Sequence, residues 1–293
     1  MQLTQTAASC ILVTNDGAGA GLCARQPPGR QKEEPALYAI GVDIGSTSAK
    51  VAVLNEQKEL VHKLVMPTGW SSTETAERIR TELAALGVDL NEAACVATGY
   101  GRLNVPYADK TVTEITCHGK GATYLFGSKP FTVIDIGGQD TKIIQMDGGM
   151  VQDFIMNDKC SAGTGRFLEI MANTLCVSLE DMCELARKGS GVSISSMCTV
   201  FAESEVISLI GAGTPKEDIA FGVIESITNK VKSQCGKQAS SAATYYLTGG
   251  LCESAYILES LSEKLGSQVI SSPLGRYAGA IGAGITAAGL KTR

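Results

Sequence analysis

Two aspartates stand where the chain would turn sharply, Asp43 in VDIGSTSAK and Asp135 in VIDIGGQDTK. Each is followed by Ile-Gly and, seven residues on, by a lysine, Lys50 or Lys142; the two copies lie 92 residues apart. A glycine after a strand lets backbone N–H groups approach a phosphate with no Cβ in the way. The first turn offers Gly45, Ser46, Thr47, Ser48 and Ala49 together with the charge of Lys50; the second offers Gly137 and Gly138. Carboxylates ending two facing strands can hold a hydrated Mg²⁺ between themselves and the phosphates, which is the role expected of Asp43 and Asp135. Gln139 is placed to orient an attacking water, or else to hydrogen-bond its own turn. A third glycine pair, Gly249 and Gly250, ends a later strand and would let an adenosine lie flat against the backbone. No G-x-x-x-x-G-K-[ST] string is present, and no G-x-G-x-x-G opens a helix after a strand, so a P-loop and a dinucleotide fold are excluded.

The elements that must hold these turns follow from the hydrophobic pattern. Residues 38–65 read as strand, tight turn, strand and a further alternating strand. Ser71 and Glu74 form a capping box before a helix with Ile79, Leu83 and Leu86 at helical spacing; a strand at 95–99 and a helix at 114–126 follow. The segment 132–146 repeats the pattern of 40–54, and another alternating strand, 150–156, again follows. Helices are expected after Gly163, from Ser178, from Thr199 and from Thr214-Pro215 to about Lys237, then strand 245–250, helix 253–265, strand 268–272 and a Gly/Ala-rich last helix. Two similar halves imply a duplicated α/β domain with a cleft between them.

A net charge of −5 excludes a basic nucleic-acid footprint. No apolar run reaches the ~20 residues of a bilayer span, and no early basic cluster marks an export signal. Ten cysteines in 293 residues, without a C-x-x-C pair, read as thiols of a reducing cytoplasm. Residues 1–36, rich in Gly, Pro and polar side chains and carrying Cys10 and Cys23, are expected to be a disordered extension.

VDIGSTSAK, VIDIGGQDTK and LTGG resemble the phosphate and adenosine motifs of the actin, Hsp70 and sugar-kinase superfamily of ATPases. Two further strings, NDKCSAGTGRFLE (157–169) and SSMCTVFAESEVI (195–207), resemble the activators of 2-hydroxyacyl-CoA dehydratases, relatives of the ATPase subunits of benzoyl-CoA reductase. The resemblance spans residues 38–288 and omits the first 36. It implies two duplicated actin-like (ribonuclease H-like) lobes, each a mixed sheet flanked by helices, with ATP or ADP in the cleft. Residues 37–130 with 272–293 would form the first lobe, and 131–271 the second. It also implies a homodimer sharing one [4Fe–4S] cluster, held by Cys160 and Cys198 of each subunit. Arg276 falls where such proteins contact the base, and a guanidinium can stack on adenine.

The local pattern agrees with the cysteine assignment, since each of these cysteines precedes a helix whose free N–H groups favour a thiolate. Cys95, Cys117, Cys176, Cys183, Cys235 and Cys252 read as core residues. His62 and His118 receive no role, and Glu203 and Glu205 read as a solvated or salt-bridged face. The activity implied is an anaerobic, ATP-driven one-electron donor. It would take its electron from a ferredoxin or flavodoxin and pass it to a dehydratase or a related CoA-thioester reductase, with no nucleic acid or membrane involved. A small-molecule kinase of the same superfamily and a nucleotide-dependent sensor or assembly protein are the alternatives.

Overall fold

The computed structural model describes residues 37–195, 198–237 and 244–290. The expectations for residues 1–36 lie outside them. Three strands open the fold, β1 (Ala39–Ile44), β2 (Ser48–Leu54) and β3 (Leu60–Pro67), before α1 (Ser72–Ala85), β4 (Ala94–Thr98), β5 (Lys110–Thr111) and α2 (Glu114–Phe126). The order restarts with β6 (Phe131–Ile136), β7 (Thr141–Asp147) and β8 (Met150–Asn157), then runs through α3 (Gly165–Thr174), α4 (Leu179–Ala186), α5 (Thr199–Gly211) and α6 (Lys216–Lys237). It closes with β9 (Tyr245–Gly249), α7 (Ala255–Leu265), β10 (Val269–Ser271) and α8 (Ala278–Ala287).

The two sheets share one topology. The first runs β3-β2-β1-β4-β5 and the second β8-β7-β6-β9-β10. In each, the hairpin strands pair antiparallel and the later strands parallel. The central strands β1 and β6 are buried at every position, whereas the edge strand β3 alternates, because only strands covered on both faces lose the period of two.

Helices supply that cover. In the first sheet, Ile40, Val42 and Ile44 meet Ala76, Ile79 and Leu83 of α1, and the other face meets Ala283 and Ala287 of α8. In the second, Ile134, Ile136 and Ile143 pack into a core built from α3 to α7. Helix α2 serves both halves, since Cys117 joins a first-sheet cluster and Ala122 packs with Val133 and Ile144 of the second. Gly121 and Gly282 allow its close approach to α8; a Cβ on either would strike a backbone carbonyl of the other helix.

Ser71 accepts a hydrogen bond from the Glu74 N–H (3.3 Å) and Ser178 from the Asp181 N–H (3.0 Å), the caps expected of both helices. Three details depart from the sequence reading. Strand β5 is too short to carry a pattern, α3 begins at Gly165 rather than Gly163, and Cys176 is exposed with a positive φ of 53° instead of lying in the core. Among the described residues no helix is long and apolar enough to cross a membrane.

Candidate functional site

The seven-residue spacing from Asp to Lys has a structural cause. Asp43 lies directly across the hairpin from Lys50, and Asp135 from Lys142; each aspartate also pairs on its other side with a threonine, Thr98 or Thr248. The turns close in the same way, with the Gly45 N–H donating to the Ser48 carbonyl (3.1 Å) and the Gly137 N–H to the Asp140 carbonyl (2.9 Å). The two hairpin turns meet: a Cβ on Gly138 would run into the side chain of Thr47.

Between them lies a cavity of about 700 Å³. Its walls include Asp43, Gly45, Ser46, Thr47, Ser48 and Lys50 from the first hairpin, Asp135, Gly137, Gly138 and Gln139 from the second, and Gly249, Gly250 and Arg276. The fold therefore gathers thirteen of the fourteen cleft residues expected from sequence. Ala49 is the exception; it is 1% exposed and packs in the first-sheet core, so only its backbone is near the turn. Gln139 is exposed on the wall. Arg276 is held by Glu253 at 2.6 Å, which ties its guanidinium to the start of the α7 segment.

The two carboxylates sit in unlike surroundings. Asp43 is clamped between Gly99 and Gly279, where a Cβ on either would overlap its carboxylate oxygens. Thr98 turns its hydroxyl to the Val112 carbonyl (3.0 Å), Lys50 reaches the Ser48 carbonyl (3.3 Å), and the buried Asp43 Oδ1 has no hydrogen-bond partner. Burial pushes the Asp43 carboxyl up to about 7; Lys50 opposes this in part, and Glu114 adds to it. At Asp135 the Thr248 hydroxyl donates to Oδ1 (3.0 Å), Lys142 Nζ lies 3.3 Å from Oδ2, and His118 Nε2 is 3.6 Å away. Burial would raise this carboxyl as well, but His118, Lys142 and Thr248 overcome it and hold the group down at about 2.

A buried carboxylate oxygen without a hydrogen-bond partner, on a residue that lines the cavity, fits a cation such as hydrated Mg²⁺. Asp43 has one, whereas the two oxygens of Asp135 already meet the Thr248 hydroxyl and Lys142 Nζ. The residues missed by the sequence reading are His118 and Thr248, which meet Asp135, and Glu114, which pairs with Lys142. A signal existed for Thr248, since Thr-Gly at 98–99 and again at 248–249 repeats within the duplication. Glu114 and His118 come from α2, whose counterpart after β10, α8, brings only Gly279 against the carboxylate of Asp43.

The cysteines lie elsewhere in the second half. None of the eight described cysteines is in a disulfide. Cys160 is half-buried in the loop after β8, where the Asn157 side-chain amide donates to the carbonyls of Cys160 (3.0 Å) and Ala162 (3.1 Å). Cys198 is half-buried at the N-cap of α5. The helix-start reading holds for Cys198 but not for Cys160. The first N–H groups of α3, from Gly165 and Arg166, donate to the carbonyls of Gly137 (2.9 Å) and Gly138 (2.8 Å) in the second turn. By contrast, burial pushes the Cys95 and Cys235 thiols up to about 12 and suits them to a core.

The pattern of the BadF/BadG/BcrA/BcrD ATPase family matches residues 40–287. The (R)-2-hydroxyglutaryl-CoA dehydratase activating ATPase of Acidaminococcus fermentans is 41% identical over 254 residues, covering 86% of this chain and 97% of that protein. A solved structure of that dehydratase's component A has a TM-score of 0.80, with 40% identity over 87% of this chain and 98% of the other. The activator of the 2-hydroxyisocaproyl-CoA dehydratase from Clostridium difficile, solved with bound ADPNP, gives 0.79 at 34% identity, over 86% and 95% of the two chains. A ROK family glucokinase from Streptomyces griseus shares the fold alone, at 16% identity and a TM-score of 0.54 over 85% and 98% of the two chains. The duplicated sheets, the paired hairpins and the cleft they enclose are thus those of an actin-like ATPase, and the chain belongs to the BadF/BadG/BcrA/BcrD ATPase family.

Proposed function

We propose that the protein is an ATP-dependent one-electron donor that activates a 2-hydroxyacyl-CoA dehydratase or a related CoA-thioester reductase. The observation that carries this reading is the pair Cys160 and Cys198, two half-buried thiols outside any disulfide in a chain similar to dehydratase activators. A [4Fe–4S] cluster takes four thiolates, and when bound it supplies one-electron transfer. One chain offers two such thiols, so two copies related by a two-fold axis complete the set. Directly after Cys198, Val200 and Phe201 are 65% and 69% exposed, an apolar helix start that a second copy would cover. A ferredoxin or flavodoxin in the cytoplasm would be the electron source.

In the cleft, the N–H groups of Gly45, Ser46, Thr47 and Ser48 with Lys50, and those of Gly137 and Gly138, hold the phosphates. Asp43 receives the ion that accompanies them, Gln139 orients the attacking water, Gly249 and Gly250 accept the adenosine, and Arg276 lies over the base. Residues 37–130 with 272–293 and residues 131–271 act as the two lobes that close on the nucleotide. The bonds from Gly165 and Arg166 to the Gly137 and Gly138 carbonyls make the second phosphate turn the seat of α3, so a shift of that turn is passed to the segment bearing Cys160.

The test is iron and acid-labile sulfide per chain, with solution mass, on protein purified without oxygen. About two irons per chain in a dimer, lost in Cys160→Ala and Cys198→Ala, are expected. An iron-free, nucleotide-binding protein would overturn the reading and turn attention to kinase substrates.

A further inference from the structure

Lys142 is the largest fully buried side chain among the described residues, with only 1% of it exposed. Its Nζ lies 2.8 Å from Asp140, 2.9 Å from Glu114 and 3.3 Å from Asp135. A lone ammonium in such a place would shed its proton. Burial does oppose the charge, but Asp135, Glu114 and Asp140 outweigh it and raise the lysine's pKa, so it stays an ammonium. The three carboxylates have oxygens within 4.8 Å of one another, a spacing that suits a metal ion, and the lysine nitrogen sits among them.

They come from separate elements. Asp135 ends β6 and Asp140 lies in the turn before β7, while Glu114 opens α2, just after the last strand of the first sheet. One turn along α2, His118 Nε2 is 2.9 Å from the Thr248 hydroxyl that also binds Asp135. The same helix therefore reaches the second hairpin at two points.

We propose that Lys142 is a resident cation standing where a divalent ion would otherwise bind among Glu114, Asp135 and Asp140, and that it fastens α2 to the second hairpin. It is a positioning residue. By satisfying Asp135 in advance, it leaves Asp43 as the carboxylate that meets the ion brought by the nucleotide; this last step rests on the ATP-cleft reading, the rest does not.

The test is a Mn²⁺ titration of the full chain without nucleotide, followed by the electron paramagnetic resonance of free Mn²⁺ and by thermal unfolding. Lys142→Ala is expected to bind one more Mn²⁺ per chain than the parent, and its lowered Tm should rise as Mn²⁺ is added. Adding Glu114→Gln to that variant should weaken the new site by at least about tenfold. Equal Mn²⁺ binding by parent and Lys142→Ala, with no rise in Tm, overturns the proposal. Should Lys142→Ala not fold, Glu114→Gln alone decides: the proposal expects its nucleotide-free Mn²⁺ binding to equal the parent's, whereas a drop means that the parent already holds a metal there. Failure of the ATP-cleft reading would show separately, as a parent chain that binds no nucleotide.

Discussion

The first and second hairpins place the same four residues at the same register positions, an aspartate, the lysine opposite it, a threonine on the neighbouring parallel strand and a glycine after that threonine. They do different things with them. In the second hairpin the lysine and the threonine turn inward onto the carboxylate of Asp135, and α2 adds His118 and Glu114. In the first, Lys50 and Thr98 turn to backbone carbonyls, and Asp43 keeps a buried oxygen with no partner. A duplicated motif has thus become one finished ion pair and one unfinished site. What separates them is the set of neighbours that α2 brings to one side.

The largest effect should come from the lysines. Lys142→Met leaves three carboxylates facing one another in a buried place and should cost about 3–5 kcal/mol in urea unfolding. Lys50→Met, removing a half-buried ammonium whose contact is the Ser48 carbonyl, should change stability by less than about 1 kcal/mol. The same change should weaken nucleotide binding about tenfold or more, because in the proposed cleft its charge would face the phosphates. Equal stability losses for the two would break the contrast.

The carboxylates should also respond oppositely to pH in nucleotide-free, metal-free protein. Asp43 has a folded pKa of about 7 against 3.8 for the unfolded chain, so the folded state binds the extra proton between these values and stability falls as pH rises through that window. Asp135, held at about 2, contributes stability above 3.8 that is lost as pH falls toward 2. Asp43→Asn should remove the first slope, worth about 2–4 kcal/mol, as read from unfolding midpoints across the range. A parent chain with no falling limb between pH 4 and 7 would contradict the unfinished state of Asp43.

Smaller effects sharpen the geometry. Gly138→Ala must push Thr47 away and should cost about 1–3 kcal/mol, with weaker nucleotide binding as the hairpins part. Gly45→Ala should cost less, since its methyl would meet the Ser48 carbonyl oxygen at 3.0 Å without touching the other hairpin. Ser71→Ala and Ser178→Ala, one cap in each half, should each cost about 1 kcal/mol and leave nucleotide affinity unchanged.

The duplication and most of the cleft were legible because hairpin register converts directly into sequence spacing. An Asp and a Lys facing each other across a short turn are seven residues apart in both copies, and the eye can find that. Glu114 and His118 were not legible in this way. They reach Lys142 and Asp135 from a helix packed between the sheets, and no local pattern records which strand end a helix will meet. At Ala49 the strand's alternation sends the side chain to the core, so only its backbone can serve the cleft as expected. The reading of Cys160 at a helix start failed for a related reason: the donors of α3 are taken by carbonyls from a turn more than twenty residues earlier in the chain.

The most direct test of the contrast between the two hairpins is the affinity for Mn²⁺ with a non-hydrolysable ATP analogue, measured on the parent, Asp43→Asn and Asp140→Asn. One tightly held Mn²⁺ per chain is expected in the parent, with a loss of about 10–100-fold in Asp43→Asn and little change in Asp140→Asn, whose carboxylate serves Lys142. Unchanged Mn²⁺ affinity in Asp43→Asn, or an equal loss in Asp140→Asn, would contradict that contrast.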